Sequence, residues 1–365
     1  MPTHVPRQEE NPRTPRNATE RPLTAVFLPN VKMSRKRAAI TAEGGPDQLR
    51  EARGFARHGV EVRERDLHDF PWNPLARRGT LLAGLDLLRA LKVLLLDRKA
   101  DVIVSVFESN VFFILLLRRL FNFKPRIVLW EVSGRGWRIR DRILDYVVPR
   151  VDQVLVLTER QRREVESRYA LRNPAQVLGF SIEDQFFRSR PPAVDQRYVL
   201  AVGDDVSRDY PTLVEACRIA GLPLKLRSNM RSAVPADASQ VSLVGRLSYQ
   251  QLRELYEGAT IVVVPLKAVD YPGGITAIFE AMAMSKPLVL SRTAMTADFI
   301  SDGAEGIFVE PTDPAALAAS LSALWNDAPR CAALGSAARR RLERDYAYDH
   351  YIERFAGMLR RAAAR

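Results

Sequence analysis

The sequence is poor in the residues that build metal centres and covalent cross-links. It has only 2 cysteines and 4 histidines among 365 residues. Cys217 and Cys331 show none of the spacings that are typical of a zinc site or a disulfide framework. Isolated cysteines are typical of proteins in a reducing compartment. We therefore expect a cytoplasmic protein with no resident metal ion.

Long uninterrupted apolar runs are also missing. Asp86, Arg89, Lys92 and Glu108 interrupt the longest ones, so no segment is predicted to cross a membrane as a helix. Residues 1–22 have neither the apolar stretch of a signal peptide nor a helical period. We predict that they form a disordered tail.

Positive charge is abundant, and it is unevenly distributed. Residues 1–150 carry 28 Lys and Arg against 17 Asp and Glu, whereas residues 151–365 carry 27 against 26. This asymmetry indicates that the N-terminal half alone meets an anionic partner, although a general solubility charge would explain it equally well. Only the isoelectric point favours nucleic-acid binding, since the sequence contains no recognition module for it.

Strand-like and helix-like segments alternate along the chain, which is typical of α/β domains with parallel sheets. The chain is long enough for two such domains. A proline-containing stretch at 189–195 indicates a linker, and 31–43 is polar and basic with no element assigned. The main strand candidates are Thr24–Asn30, Val60–Arg63, Asp101–Val106, Arg126–Trp130, Val151–Thr158, Tyr198–Gly203, Ala259–Pro265 and Lys286–Ser291, and the main helix candidates are Leu49–His58, Leu81–Leu96 and Glu159–Arg168.

The most informative segment is 273–291, GGITAIFEAMAMSKPLVLS. It places Glu280 in an apolar run that predicts a buried helix, where an unpaired carboxylate is penalised. Gly273, Gly274 and Thr276 precede it and can leave the first backbone N–H groups of that helix free to bind phosphate. A carboxylate one turn further on suits the ribose of a nucleotide. The alternatives are an ordinary N-cap by Thr276 and a Glu280 paired with an arginine.

This segment resembles the retaining glycosyltransferases of family 4, also called group 1, which have the GT-B fold. Their signature is a Glu, seven residues, and a second Glu followed by Ala-Met-Ala and a turn into a strand. Glu280 and Ala281–Ala283 match the second half. The first Glu, which contacts the donor sugar in the family, falls on Pro272, and the nearest carboxylate is Asp270.

Other segments follow in the order of the family. Tyr198–Gly203 resembles the first strand of the nucleotide domain, Arg208–Leu213 the phosphate-binding loop, and Val244–Ser248 the base-recognition strand and loop. Asp204 and the adjacent Asp205 look like a metal pair, but a loop or sugar contact fits the family better. The resemblance implies catalytic roles for Glu131, Arg208 and Glu280, and donor-binding roles for Gly44, Gly45, Gly203, Asp204, Arg208, Gly245, Arg246, Asp270, Gly273, Gly274, Ile275, Thr276 and Glu280.

The resemblance also implies the domain organisation. It predicts two Rossmann-like domains that face each other across a cleft. We expect a tail at 1–22, an acceptor-binding domain at 23–192 and a nucleotide-sugar-binding domain at 193–340. Residues 341–365 are expected to form a helix that packs back on the first domain.

The activity implied by the resemblance is that of a metal-independent hexosyltransferase. It would move a sugar from a UDP-, GDP- or dTDP-sugar to an acceptor hydroxyl with retention. The acceptor would be lipid-linked or a small-molecule glycoside. A non-catalytic GT-B subunit and a nucleotide-sugar epimerase remain alternatives, because the first signature Glu is absent.

A basic segment at 135–142, RGWRIRDR, interleaves Trp137 and Ile139 with four arginines. This composition is typical of a contact with a membrane surface or an anionic acceptor, and a solvated helix face is the alternative. Together with the charge of the N-terminal half, the segment predicts peripheral binding at the inner face of a membrane.

Overall fold

A computed structural model describes residues 21–30, 32–67, 85–130, 132, 138–189, 196–230, 238–268 and 273–365. The chain divides into two compact units. The C-terminal unit comprises Ile40–Pro46 and Ser181–Tyr348, and the N-terminal unit comprises the other described residues, including Asp349–Arg365. No helix in the described ranges is long and apolar enough to cross a membrane.

The N-terminal unit is built on a six-stranded parallel sheet in the order β2-β1-β3-β4-β5-β6. Every residue of β3 and β5 is buried, as expected for parallel strands with helices on both faces. The strands are β1 (Leu23–Leu28), β2 (Val60–Glu64), β3 (Val102–Ser105), β4 (Arg126–Trp130), β5 (Gln153–Val156) and β6 (Gln176–Val177).

The helices that follow these strands are α1 (Met33–Ala42), α2 (Arg50–Arg57), α3 (Leu87–Leu96), α4 (Phe112–Leu117), α5 (Arg138–Val147) and α6 (Glu159–Arg168). Helix α1 lies in the polar stretch to which the sequence assigned no element. The Asp66 carboxylate accepts hydrogen bonds from the backbone N–H groups of Met33 (2.9 Å) and Ser34 (3.2 Å) and so stabilises its start. Helix α3 begins later than expected, at the residue after its N-cap, Asp86.

The C-terminal unit contains a second six-stranded parallel sheet, in the order β12-β11-β10-β7-β8-β9. Every residue of β7, β10 and β11 is buried. In the segment Val244–Ser248, which was predicted to be a strand and loop, Val244 is the last residue of the strand. The strands are β7 (Val199–Val202), β8 (Leu224–Arg227), β9 (Val241–Val244), β10 (Ile261–Val264), β11 (Leu288–Ser291) and β12 (Ile307–Val309).

Side-chain caps fix the starts of most helices in this unit. Asp209, Ser248, Asp313 and Asp327 each accept a hydrogen bond from a backbone N–H of the first turn. The helices are α7 (Tyr210–Ala220), α8 (Tyr249–Glu257), α9 (Ile275–Ala283), α10 (Pro314–Trp325) and α11 (Ala328–Asp345). Helix α9 differs, because its N-cap is a glycine.

The last helix, α12 (Tyr348–Ala364), belongs almost wholly to the N-terminal unit. Its Phe355 is buried and contacts the rings of Phe27, Phe55 and Trp130, with centroids 5.4 to 5.9 Å apart. Gly54 of α2 lies so close to Ile352 that an added Cβ would come within 3.0 Å of it. The expectation that the chain ends by returning to its first domain is therefore confirmed.

Replacement of Phe355 by alanine tests this anchoring. We expect Phe355→Ala to destabilise the N-terminal unit by about 3–5 kcal/mol, because it removes a buried aromatic side chain from a cluster of rings. The measurement is amide hydrogen exchange, with lost protection in β1 and α2. Glu353→Ala, at an exposed position of the same helix, is the control. Unchanged protection of β1 in the Phe355 variant would contradict the anchoring role.

Candidate functional site

The candidate site lies at the carboxyl ends of β7 and β10, which are neighbours in the second sheet. Strand β8, which follows β7 in the chain, pairs with β7 on the side away from β10. Strand β11, which follows β10, pairs with β10 on the side away from β7. The order of the sheet therefore reverses between them. Ligands of open α/β sheets bind in the crevice that such a reversal leaves. The segments that leave the two strands here are 203–209 and 265–274.

Arg208 is the central residue of this site. It follows β7, and a backbone bridge joins it to Leu266 after β10. Its side chain is only 4% exposed, yet the Nε and Nη1 atoms have no hydrogen-bond partner within the described ranges. A buried guanidinium is costly unless its donors are satisfied. The two nitrogens of Arg208 therefore keep the capacity to donate to a further acceptor.

Two glycines allow the backbone to approach this guanidinium. A Cβ on Gly203 would lie 2.5 Å from Nη2 of Arg208, and one on Gly274 would lie 3.2 Å from Nη1. Their φ angles of +145° and +75° also disfavour other residues. Gly273 packs in the same way against Ser207. The hydroxyl of Tyr210 donates to the carbonyl of Gly203 at 2.6 Å and fixes the first of these loops.

Helix α9 presents free backbone donors beside Arg208. Gly274 is its N-cap and supplies no side-chain hydrogen bond, and the first intrahelical bond runs from the N–H of Ile278 to the carbonyl of Gly274. The earlier N–H groups, those of Ile275, Thr276 and Ala277, have no intrahelical acceptor. Thr276 is exposed on the first turn and is not the N-cap. The start of α9, with its partial positive charge, and the Arg208 guanidinium lie side by side. Both have the chemistry that binds anions.

Glu280 lies on the buried side of the same helix. Its Oε2 accepts a hydrogen bond from the hydroxyl of Tyr256 at 2.8 Å. Burial raises the pKa of Glu280 to about 7, although the Tyr256 hydrogen bond and the charges of Arg208 and Arg227 act to lower it. Within the described ranges Oε1 accepts no hydrogen bond. One carboxylate oxygen is thus fixed, and the other is available to a ligand.

Asp204 organises the neighbouring loop. Its carboxylate accepts hydrogen bonds from Nη1 of Arg227 (2.7 Å), Oγ of Ser228 (3.1 Å) and both the backbone and side-chain nitrogens of Asn229 (2.6 and 3.0 Å). Burial alone would raise its pKa, but the Asn229 and Arg227 hydrogen bonds outweigh burial and lower the pKa of Asp204. Asp204 therefore joins the ends of β7 and β8, as the loop interpretation expects.

A cavity of about 310 Å³ adjoins this loop and is lined by Ser228, Asn229, Leu243 and Gly245. It lies where β8 and β9 end. A Cβ at Gly245 would meet nothing within 4 Å, so packing within the protein does not require a glycine there. The cavity offers one apolar side chain and several polar groups, a lining that is suited to a small polar ring.

The same C-terminal unit matches a known family in sequence. Residues 199–327 match the family model of the group 1 glycosyl transferases. The chain carries a group 1 glycosyltransferase domain. No curated protein gave a significant match to the sequence.

Solved structures show that the chain as a whole has the GT-B fold. Sucrose-phosphate synthase from Thermosynechococcus elongatus aligns over 94% of this chain and 99% of its own, with 18% identity and a TM-score of 0.72. Anabaena HepE in complex with UDP-glucose aligns over 93% and 100%, with 13% identity and a TM-score of 0.68. A glycosyltransferase from Rickettsia africae aligns over 94% and 99%, with 12% identity and a TM-score of 0.66.

Gly44 and Gly45 have a local structural role. The N–H of Gly44 donates to the carbonyl of Thr41 (3.1 Å) and that of Gly45 to the carbonyl of Ile40 (2.9 Å), so the pair ends α1. A Cβ on Gly45 would lie 3.2 Å from the ring of Tyr249. Both glycines thus belong to the C-terminal unit, together with the other donor-binding candidates that the structure describes.

The positions of Arg246 and Arg140 differ from those that their expected roles require. Arg246 is 78% exposed at its side chain and lies 3.4 Å from Glu43. The expected surface role of Arg140 is wrong, because α5 turns this residue inward, where its Nε donates to Oε1 of Glu108 at 2.7 Å. The roles expected for Glu131, Asp270, Pro272, Arg135 and Trp137 fall outside the described residues, as do the tail at 1–20 and linker residues 190–195.

Tyr256 and Tyr210 are the site residues that sequence reasoning missed. Both are fully buried. The hydroxyl of Tyr256 donates to Glu280, and the hydroxyl of Tyr210 donates to the carbonyl of Gly203. A buried tyrosine generally needs a hydrogen-bond partner. That rule is the only signal in the sequence, and it does not say which partner is chosen.

The raised pKa of Glu280 leads to a prediction for Glu280→Gln. In the folded state the carboxyl holds its proton up to about pH 7, against 4.5 as the ordinary value. Its contribution to the free energy of unfolding is therefore fully present below pH 4.5 and is lost as pH rises to 7. As the pH rises through this range, we expect the free energy of unfolding of the wild type to fall by up to about 3 kcal/mol because of this group.

The Gln variant has no proton to lose and should keep that stability. Urea unfolding of both proteins at pH 5 and pH 8 measures the difference, and the other titrating groups cancel in the comparison. An identical pH dependence of the two proteins would show that Glu280 is ionised throughout.

Proposed function

We propose that this glycosyltransferase transfers a hexosyl group from a nucleoside-diphosphate sugar to an acceptor hydroxyl, with retention of configuration. The observation that carries the proposal is the buried, unpartnered guanidinium of Arg208 beside the uncapped start of α9. HepE, a structural neighbour, binds UDP-glucose. A diphosphate supplies the negative charge that Arg208 and α9 lack.

The donor diphosphate would lie against Arg208 and the first turn of α9. The planar fork of a guanidinium matches the geometry of phosphate oxygens, and the N–H groups of Ile275 and Thr276 add further donors. The absence of side chains at Gly203 and Gly274 lets the guanidinium lie against the backbone of both loops, where it would meet the phosphates. These contacts are suited to stabilising the charge that builds up on the diphosphate as it leaves.

The nucleoside would extend from this point toward the cavity at the ends of β8 and β9. Glu280 would accept hydrogen bonds from the ribose hydroxyls through Oε1, while Tyr256 holds Oε2. The base would occupy the space lined by Ser228, Asn229, Leu243 and Gly245. In this arrangement Asp204, with the Gly44, Gly45 and Arg246 segments, shapes the surroundings of the donor. Asp270 and Glu131 remain predicted contacts for the sugar and for catalysis.

The reaction would follow from positioning and charge stabilisation. The bond between the sugar anomeric carbon and the diphosphate oxygen breaks, and both electrons stay on the diphosphate. The acceptor hydroxyl adds to the oxocarbenium-like carbon on the same face, and its proton passes to the departing phosphate oxygen. Arg208 and α9 lower the barrier by stabilising the leaving group.

Substitution of Arg208 tests this assignment. We expect Arg208→Ala to weaken binding of UDP or of the preferred nucleotide by about 100-fold, because charge-assisted hydrogen bonds are lost. The apo protein should keep or gain stability, since an unpaired buried charge is removed. Isothermal titration and thermal unfolding measure the two effects. Arg218→Ala, on the exposed side of α7 and paired with Glu215, is the matched control.

The choice among donors comes from thermal-shift screening against UDP-, GDP- and dTDP-sugars. The preferred donor is then incubated with lipid-linked and small-molecule glycoside acceptors, and the anomeric configuration of the product is read by nuclear magnetic resonance. Binding without transfer or donor hydrolysis would favour a non-catalytic subunit, and epimerised donor would favour an epimerase. Loss of stability in Arg208→Ala with unchanged nucleotide affinity would overturn the assignment of Arg208.

We also propose that the reaction needs no divalent cation, because Arg208 and the start of α9 take the role of charge neutralisation. Turnover should be the same in the presence of a chelator as with added Mg²⁺ or Mn²⁺. Activity that disappears with the chelator and returns with either metal would contradict this proposal. We propose the cytoplasm as the place of action, which suits the two buried cysteines, neither of which forms a disulfide.

A further inference from the structure

Helix α3 of the N-terminal unit buries an arginine and exposes several leucines. Its one arginine, Arg89, is almost completely buried and donates hydrogen bonds to the carbonyl of Pro29 (2.7 Å) and to Oδ1 of Asn110 (2.6 Å). Four leucines of this helix are 44–63% exposed: Leu88 and Leu95 lie on the side away from its buried residues, and Leu87 and Leu96 lie on the two flanks. A surface helix of a globular protein normally shows polar residues on the side away from its buried residues.

The neighbouring helix α4 continues this apolar surface. Leu116 and Leu120 are 54% and 80% exposed, and Leu120 lies just beyond the end of α4. The Nη2 atom of Arg98, which follows α3, donates to the carbonyl of Phe121 at 3.0 Å. This bond joins the ends of α3 and α4. We call these six exposed leucines the leucine face.

The exposed charges of α3, of α4 and of the short segments that follow them have one sign. Lys92, Arg98, Lys99, Arg119 and Lys124 are exposed. The only acid in 87–100 is Asp97, which is buried and forms an ion pair with Arg65 at 2.6 Å, and 112–124 contains no acid at all. Exposed leucines interleaved with cations, and without exposed acids, complement a surface that is both apolar and anionic.

We propose that the leucine face binds the surface of an anionic lipid membrane. Leucine side chains would enter the boundary between headgroups and acyl chains, while the cations contact anionic headgroups. The membrane-binding segment expected from sequence was 135–142. In its described part Arg140 is buried, whereas Ile139 and Arg142 are exposed, and the larger set of exposed leucines and cations lies on α3 and α4. This inference does not depend on the proposed sugar transfer.

The first test is co-sedimentation of the full chain with vesicles of phosphatidylcholine alone and of phosphatidylcholine mixed with phosphatidylglycerol. We expect binding to the anionic vesicles that weakens as salt is added. The triple variant Lys92→Gln/Lys99→Gln/Lys124→Gln should bind about 100-fold more weakly, which corresponds to about 1 kcal/mol for each cation. Arg160→Gln/Arg163→Gln/Arg168→Gln, on exposed positions of α6 in the same unit, is the matched control and should bind like the wild type.

The second test removes the apolar part. Leu96→Gln/Leu120→Gln should lower the binding that remains at high salt by at least about 10-fold, while nucleotide affinity stays unchanged. Ile219→Gln, at an exposed position of α7 in the other unit, is the control.

Three results would overturn the proposal. They are absence of binding to anionic vesicles, equal binding to both vesicle types, and equal loss in the control variants. Concentration-dependent dimerisation that the leucine variant abolishes, without any vesicle binding, would instead assign the face to a second copy of the chain.

Discussion

The C-terminal unit is organised around one unfavourable feature, a guanidinium that is buried without a partner. Arg208 lies where the sheet reverses its strand order, and two of its donor nitrogens have no acceptor within the described residues. In the proposed function an anion offsets the free-energy cost of this arrangement. Gly203 and Gly274 have no side chain where the guanidinium fills the space, and α9 has a glycine as its N-cap. Under the same proposal the first N–H groups of α9 bind that anion.

Glu280 shows the complementary constraint. A carboxylate on a buried helix resists ionisation, and its pKa rises to about 7 for that reason. Tyr256 hydrogen-bonds one oxygen, and Arg208 attracts the charge without forming a salt bridge with it. The cation and the carboxylate are thus near enough to influence each other, while both keep hydrogen-bonding capacity for a ligand.

The N-terminal unit applies the same physical rules to a surface. Arg89 is inside, fully hydrogen-bonded to the ends of neighbouring segments, and leucines of the same helix are outside. The exposed apolar area of α3 and α4 is costly in water, and within the described residues 87–100 and 112–124 every exposed charge is a cation. This is why the leucine face is assigned to an anionic membrane.

The sequence alone determined the α/β class, most strand positions, the return of the last helix and the importance of Gly273–Glu280. These features depend on local periodicity, on glycine and on an ordered set of motifs, all of which are visible along the chain. The tertiary structure decided which groups meet. Tyr256 hydrogen-bonds to Glu280, which is 24 residues away in the chain. Arg140 turns inward and pairs with Glu108. Asp66 stabilises the start of α1, a helix that the polar sequence of that segment did not predict. Such pairings depend on sheet order and on how each helix is rotated about its axis, and composition contains neither. Burial then sets the pKa of Glu280 and leaves Arg208 without a partner, because both effects arise only when distant segments exclude water together.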